Sequence, residues 1–151
     1  MIEFFLSCVP PSATHHHKRI VRIGKFSRLA DKPELVAAKE MVDTLLLPHQ
    51  PTAPMTGALR LTLEFEWPWL STHSQRVRAQ GRIPKTTKPD ASNLAKSTED
   101  RLAALRFIDN DALVAELVVR KFFGDRPGIG VCIEPCSPMS QHATLPMEAA
   151  V

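Results

Sequence analysis

Apolar side chains occupy every second position from Leu59 to Trp67, as Leu59, Leu61, Leu63, Phe65 and Trp67, with Arg60, Thr62, Glu64 and Glu66 between them. A period of two belongs to a half-buried strand, so residues 58–67 are predicted as a strand with one face in the core. From Lys32 to Leu47 the period changes: Leu35, Val36, Ala38, Met41, Val42, Leu45 and Leu46 are spaced for an amphipathic helix. Pro33 suits the first turn of that helix, and Pro48 is expected to stop it. Residues 2–9 are apolar and aromatic without helical spacing and read as a buried first strand, ended by the loop "PPSATHHH". "KRIVRIGKFSR", residues 18–28, reads as a strand or ribbon with one basic edge. Residues 49–57 and 68–88 are predicted as loops, the second basic, and a helix is expected over residues 91–105. After a turn at "FIDND", strands are predicted over residues 112–123 and 128–135. Strands and helices mix without a regular strand-helix-strand rhythm, which favours α+β: a mixed β-sheet packed with two main helices in a single domain. That domain is expected over residues 1–135, with residues 136–151 a disordered tail lacking periodicity.

Composition narrows the class. A chain of 151 residues with 44% hydrophobic content can bury one core of ordinary size. Cysteines at positions 8, 132 and 136, an odd number, do not form a secreted disulfide framework and suit a reducing cytoplasm. Cys132 and Cys136 lack a second pair of ligands, so they read as ordinary thiols and not a zinc site. No apolar run approaches the roughly 20 residues a membrane span needs, and "MIEFFLSCV" lacks the positive start of a targeting segment. The formal charge of +3 is modest, but its distribution is uneven. Lys18, Arg19, Arg22, Lys25 and Arg28 form one basic segment, and Arg76, Arg78, Arg82, Lys85 and Lys88 form another without any acid. Either segment is a solvated loop or a phosphate-binding surface. With no tyrosine and no ladder of aromatic residues, single-strand binding is not indicated. His15, His16 and His17 are adjacent and would point to alternating sides of a strand, so they read as a solvated or phosphate-contacting loop and not a metal site.

The chemistry concentrates in "KPDASNLAKSTED", residues 88–100. If Asp90 or Ser92 caps the helix, Asn93, Lys96 and Asp100 share one face at spacings of three and four. Asp109 and Asp111 lie in the turn that follows the helix, where side chains can point back toward its start. Such oxygen ligands suit magnesium, which needs only one or two protein carboxylates, and a lysine beside them can offset charge on a phosphoryl transition state. Asp90 and Asp111 fit as metal ligands and Lys96 as the cation. The alternative is structural: a capping Asp, a solvated Lys and an Asp-Asn-Asp turn.

"TTKPDASNLAKSTEDRLAALRFIDNDALVAELVVRKF", residues 86–122, resembles the signature of the RusA-type Holliday-junction resolvases, a family of bacteria and their prophages. "PPSATHHHK", "PHQPTAPMTGALRLTLEFEWP" and "KFFGDRPGIGV" look like phage-type members, so the likeness runs over about residues 2–135. The resemblance implies a homodimeric, magnesium-dependent endonuclease that makes paired symmetric nicks in four-way DNA junctions during recombination and repair. It further implies a cytoplasmic bacterial setting, with no membrane and no small-molecule cofactor. By position, Asp90 matches the first catalytic aspartate and Asn93 the asparagine after the acidic pair. Lys96 matches the catalytic lysine, Asp100 the helix aspartate and Asp111 the second acid of the Asp-Asp turn, with Asn110 in place of its first. Ser92 departs from the pattern, standing where the family has a second catalytic aspartate, and brings no charge to offset a cation. Asp109 is an extra acid in the neighbouring turn. Two outcomes stay open: a working resolvase, or a junction-binding protein with weakened or lost cleavage. A nuclease for other branched or flap DNA is a third.

Overall fold

The computed structural model describes residues 1–13 and 18–138. His15, His16, His17 and residues 139–151 of the expected tail lie outside the described residues. The chain runs β1 (Ile2–Ser7), β2 (Lys18–Ile23), β3 (Phe26–Asp31), α1 (Pro33–Leu46), β4 (Leu59–Pro68) and α2 (Gln75–Arg78). It continues through β5 (Ile83–Pro84), α3 (Ala91–Ala104), β6 (Val114–Gly124) and β7 (Gly128–Pro135). The fold is α+β, with one mixed sheet in the order β1-β7-β4-β6-β5 and a separate two-stranded sheet, β2-β3.

β4 is the centre of the mixed sheet because both of its edges are paired, antiparallel to β7 and parallel to β6. Its alternation works as predicted on the inner face, where Leu59, Leu61, Leu63 and Phe65 are at most 1% exposed. They share one core with Val42 and Leu46 of α1 and Leu94, Ala95 and Leu102 of α3, so both helices cover the same face of the sheet. Two bonds from the Arg101 guanidinium to the two Asp43 carboxylate oxygens, 2.6 and 2.5 Å, tie the helices together. On the opposite face Arg60 pairs with Glu116, and Glu64 bridges Arg82 and Arg120 at 2.8 and 2.9 Å.

Four local differences from the expected elements have physical causes. The basic ribbon does not end at Arg28: it is a hairpin reaching Asp31, with Ile23 opposite Phe26. Gly24, at φ +64 in the first central position, supplies the left-handed backbone of a type II′ turn. Beyond Leu46 the chain tightens into a 3₁₀ turn, Leu47–His49, which accepts Pro48 because a proline near a helix start has no bond to lose. The 68–88 segment is not wholly a loop: it carries α2, capped by Ser74, and β5, which pairs with Phe122 and Phe123 of β6. Glu66 points to the outer face yet is buried, because Gly124 lies against it; a Cβ there would fall 2.2 Å from Oε1. The Glu66 carboxylate accepts the Arg126 backbone N–H at 2.7 Å.

Candidate active site

α3 begins at Asp90, which occupies the N-cap position with extended backbone but makes no capping bond with its side chain. The Asp90 carboxylate is exposed, so the expected structural use as a cap is not what occupies it. The approach to Asp90 is fixed from the sheet. Lys121 of β6 donates to the carbonyls of Thr87 and Pro89 at 2.8 and 2.7 Å, and Pro89 is buried. Lys121 is thus a positioning residue for the start of α3, and no pattern in the sequence marks it, since its acceptors are backbone oxygens.

The other end of the helix is stopped by a Schellman closure. Arg106, at φ +60, takes the left-handed position, its N–H bonds the Ala103 carbonyl at 3.1 Å, and the Phe107 N–H bonds that of Leu102 at 2.9 Å. Phe107 and Ile108 are buried, and Met55 pairs with the chain on either side of Ile108, which anchors the turn. Asn110 then accepts the Ala112 N–H at 2.8 Å and caps a 3₁₀ turn, Asp111–Leu113. Asn110 is therefore used to shape the turn that presents Asp111.

Helix and turn meet at Lys96. Its ammonium lies 2.8 Å from Asp100, one helical turn on, and 2.9 Å from Asp111 across the gap. Asp100, then Asp111, holds the lysine well above its ordinary value, so it is a permanent cation at neutral pH. The Lys96 ammonium in turn holds the Asp111 carboxyl below the usual carboxylate range. All three side chains remain between 43% and 47% exposed, open to a large ligand. Glu99, not singled out in the sequence, lies half-buried beside them. Burial, and to a smaller degree the Asp111 and Asp100 charges, push its carboxyl upward against the pull of Lys96. The only sequence signal for Glu99 is its place within the same stretch.

The remaining expected site residues are distributed less tightly. Asn93 is half-buried and Ser92 exposed on the first turn of α3. Asp109 does not join the cluster; it pairs with Arg106 at 2.9 Å. Among the described residues no three His, Cys, Asp or Glu side chains gather into a group able to hold a metal ion. Lys18, Arg19, Arg22, Lys25 and Arg28 lie on the exposed hairpin, and none has an ion pair among the described residues. The second basic segment is used differently. Arg78 donates to the carbonyls of His73 and Leu70, Arg82 pairs with Glu64, and Lys85 sits over the Trp67 and Phe123 rings. Arg76 and Lys88 are exposed.

The site is thus a protonated lysine held between acids of a helix and a turn, in a chain whose β2–β3 ribbon carries exposed cations. Residues 9–134 match the family model described as endodeoxyribonuclease RusA, and the chain belongs to that family. DNA is accordingly its class of partner and DNA-strand cleavage the activity of its family. The chain is also similar to the "Uncharacterized protein YqaN" of Bacillus subtilis (strain 168), with 27% identity over 132 residues, 84% of this chain and 92% of the relative. No described helix is long and apolar enough to cross a membrane.

Proposed function

We propose that this protein is a magnesium-dependent endonuclease that resolves four-way DNA junctions by paired symmetric nicks. The observation that carries the reading is the Lys96 ammonium bridging Asp100 and Asp111 on the face of α3 that starts with Asp90, whose side chain makes no capping bond, in a chain of an endodeoxyribonuclease family.

Asp90 and Asp111 are the residues that would hold magnesium. Their chemistry fits: both are exposed carboxylates, hard oxygen donors, and one or two suffice for an ion that keeps most of its waters. Magnesium, when bound, supplies polarisation of the scissile phosphate and an attacking water of lowered pKa. Lys96, paired with both Asp100 and Asp111, serves as a fixed positive charge for the phosphoryl oxygens as negative charge grows on them. Asp100 keeps that ammonium in place when a phosphate draws on it. Lys121 and Asn110 hold the two chain segments that carry the acids.

Each chain carries one such cluster, so two symmetric nicks call for a homodimer. Three free thiols suit the reducing cytoplasm of a bacterial host, and the likeness to phage-type members favours a prophage gene. A second reading is favoured by one feature: Ser92 adds no charge where the family has an aspartate, and no three-acid group is present among the described residues. On that reading the protein binds junctions and cleaves them weakly or not at all.

Incubation of a labelled mobile-core junction with the purified protein, in magnesium and in EDTA, tests both. Paired nicks that need magnesium are expected, with Asp90→Asn and Lys96→Ala each lowering the rate by about 10²-fold or more. Junction binding without nicks, together with strong nicking by Ser92→Asp, would replace the first reading with the second. Flap and fork substrates cleaved better than the four-way junction would reassign the substrate.

A further inference from the structure

The β2–β3 hairpin is two strands of six residues paired only with each other. Its base is anchored, since Asp31 pairs with Lys39 of α1, and at its tip Ile23, Gly24, Lys25 and Phe26 are all exposed. An isolated two-stranded hairpin is marginal in water, and this one buries almost nothing. Ile20, Ile23, Phe26 and Leu29 are 75%, 56%, 82% and 69% exposed. The register sorts them into two pairs: Ile20 opposite Leu29 on one face, and Ile23 opposite Phe26 on the other, directly beside the Gly24–Lys25 turn. Exposed apolar groups of this size, gathered on a thin projecting element, mark a surface that is covered in use.

Charge identifies what covers it. The ribbon from Lys18 to Asp31 carries Lys18, Arg19, Arg22, Lys25 and Arg28, against the single acid Asp31, which Lys39 already neutralises. A second copy of this chain, or any ordinary protein surface, would have to present a strongly acidic face to these five cations. DNA presents phosphates to the cations and, where a base stack is interrupted, an apolar slot to the tip.

We infer that the hairpin tip is a wedge for branched DNA, with Phe26 and Ile23 entering the open stack at the branch point while the ribbon's cations grip the flanking phosphates. Unstacking is costly in continuous duplex and least so where stacking is already broken, so the wedge favours branched over linear DNA. The inference rests on the reading of the protein as acting on junctions, and it assigns to the hairpin the recognition of the branch itself. The fold makes this economical: the type II′ turn keeps the tip two residues wide, and the apolar pair flanks it on one face.

The test uses the full-length protein in EDTA, so that binding is read without cleavage. A four-way junction carries 2-aminopurine at the branch point, and a linear duplex of matching sequence carries it at the same base. The wild-type protein is expected to raise the fluorescence of the junction several-fold and that of the duplex little. Phe26→Ala and Ile23→Ala/Phe26→Ala should abolish most of that rise and weaken junction binding about tenfold or more. Duplex affinity and its salt dependence should stay as they were, because the phosphate contacts remain. Phe26 packs on nothing in the core, so these variants fold. An unchanged fluorescence rise in Phe26→Ala, or no rise with the wild type, overturns the wedge. So does conversion of a dimer to monomers by Phe26→Ala in light scattering, which would make the hairpin an arm gripping a second copy. The two readings fail separately. A wild type that unstacks junctions but never nicks them in magnesium sinks the nuclease and keeps the wedge. One that nicks them while Phe26→Ala behaves identically does the reverse.

Discussion

Two stretches of the chain carry five basic residues each, and the fold uses them in opposite ways. Residues 18–28 stand out from the body on a two-stranded ribbon, with no ion pair at any of the five cations among the described residues. Residues 76–88 include β5, at one edge of the main sheet, and three of their five cations are engaged by the protein itself. Arg78 ties the start of its own segment, Arg82 bridges toward Glu64 and Glu66 and stacks over Phe122, and Lys85 rests on two aromatic rings. Burial, and then repulsion from Lys121, draw the Lys85 ammonium below its ordinary value. Equal charge in sequence is therefore unequal charge toward a ligand. What decides is whether acids and aromatic faces from elsewhere reach the cations first.

The sharpest break between the two is DNA affinity. Replacing Arg19, Arg22 and Arg28 together by Ser should weaken binding to duplex and junction alike by about 10–10²-fold at moderate salt. The salt slope should flatten by about one unit per cation lost. Thermal stability should move little, because these side chains support nothing in the core. Filter binding across a salt series, beside a melting curve, reads both. A collapse of the melting temperature with an unaltered salt slope would mean that the hairpin is structural and the comparison is inverted.

This contrast was only half legible in the sequence. β4 could be read because one strand with one buried face imposes a period of two, and both neighbouring strands keep it there. α3 could be read because Leu94 and Leu102 fall on its buried side and Lys96 and Asp100 stand one turn apart on its exposed side. β3 could not: with Phe26 and Leu29 both exposed there is no inside to alternate against, and only Gly24 marks the turn. β5 is two residues, one a proline, held by pairing with β6 and not by local preference. In the site, Asp111 was legible through the motif, whereas the bonds of Lys121 end on carbonyls, which every residue has. The partners of Arg82 were hidden for a related reason. Glu64 lies 18 residues away, and only the closing of the sheet brings the two together.

A middle-sized effect tests the inward use of the second segment. Arg82→Ala removes the bond to Glu64, the approach to buried Glu66 at 3.7 Å and the stacking on Phe122 at 4.4 Å. Arg82 is itself 46% exposed, so the loss is smaller than for a fully buried pair, about 1–2 kcal/mol. A fall in melting temperature of about 3–8 °C is the expected readout, with DNA affinity changed far less than in the hairpin triple variant. Loss of DNA binding without loss of stability would place Arg82 with the hairpin cations.

The smallest effect is a pH dependence, and it separates the segments without DNA. Hydrogen bonding from Arg82, aided by Arg120, holds the Glu64 carboxyl below its ordinary value of 4.5, with partial burial opposing them. A carboxyl depressed in the folded state binds its proton less tightly there than in the unfolded chain. Its stabilising contribution is present above the unfolded value and drains away as pH falls through the folded one. The wild type should therefore melt slightly above Glu64→Gln at neutral pH, by under about 1 kcal/mol for an ion-pair group of this exposure. That gap should close as pH is lowered from about 5 to about 3. Built on an Arg82→Ala background, the same substitution should show a smaller gap, because the strongest cause of the depression is gone; built on the hairpin triple variant it should show the full one. A gap that persists in acid, or that the hairpin variant removes, would mean that the second segment's charge is not stored where the sheet has put it.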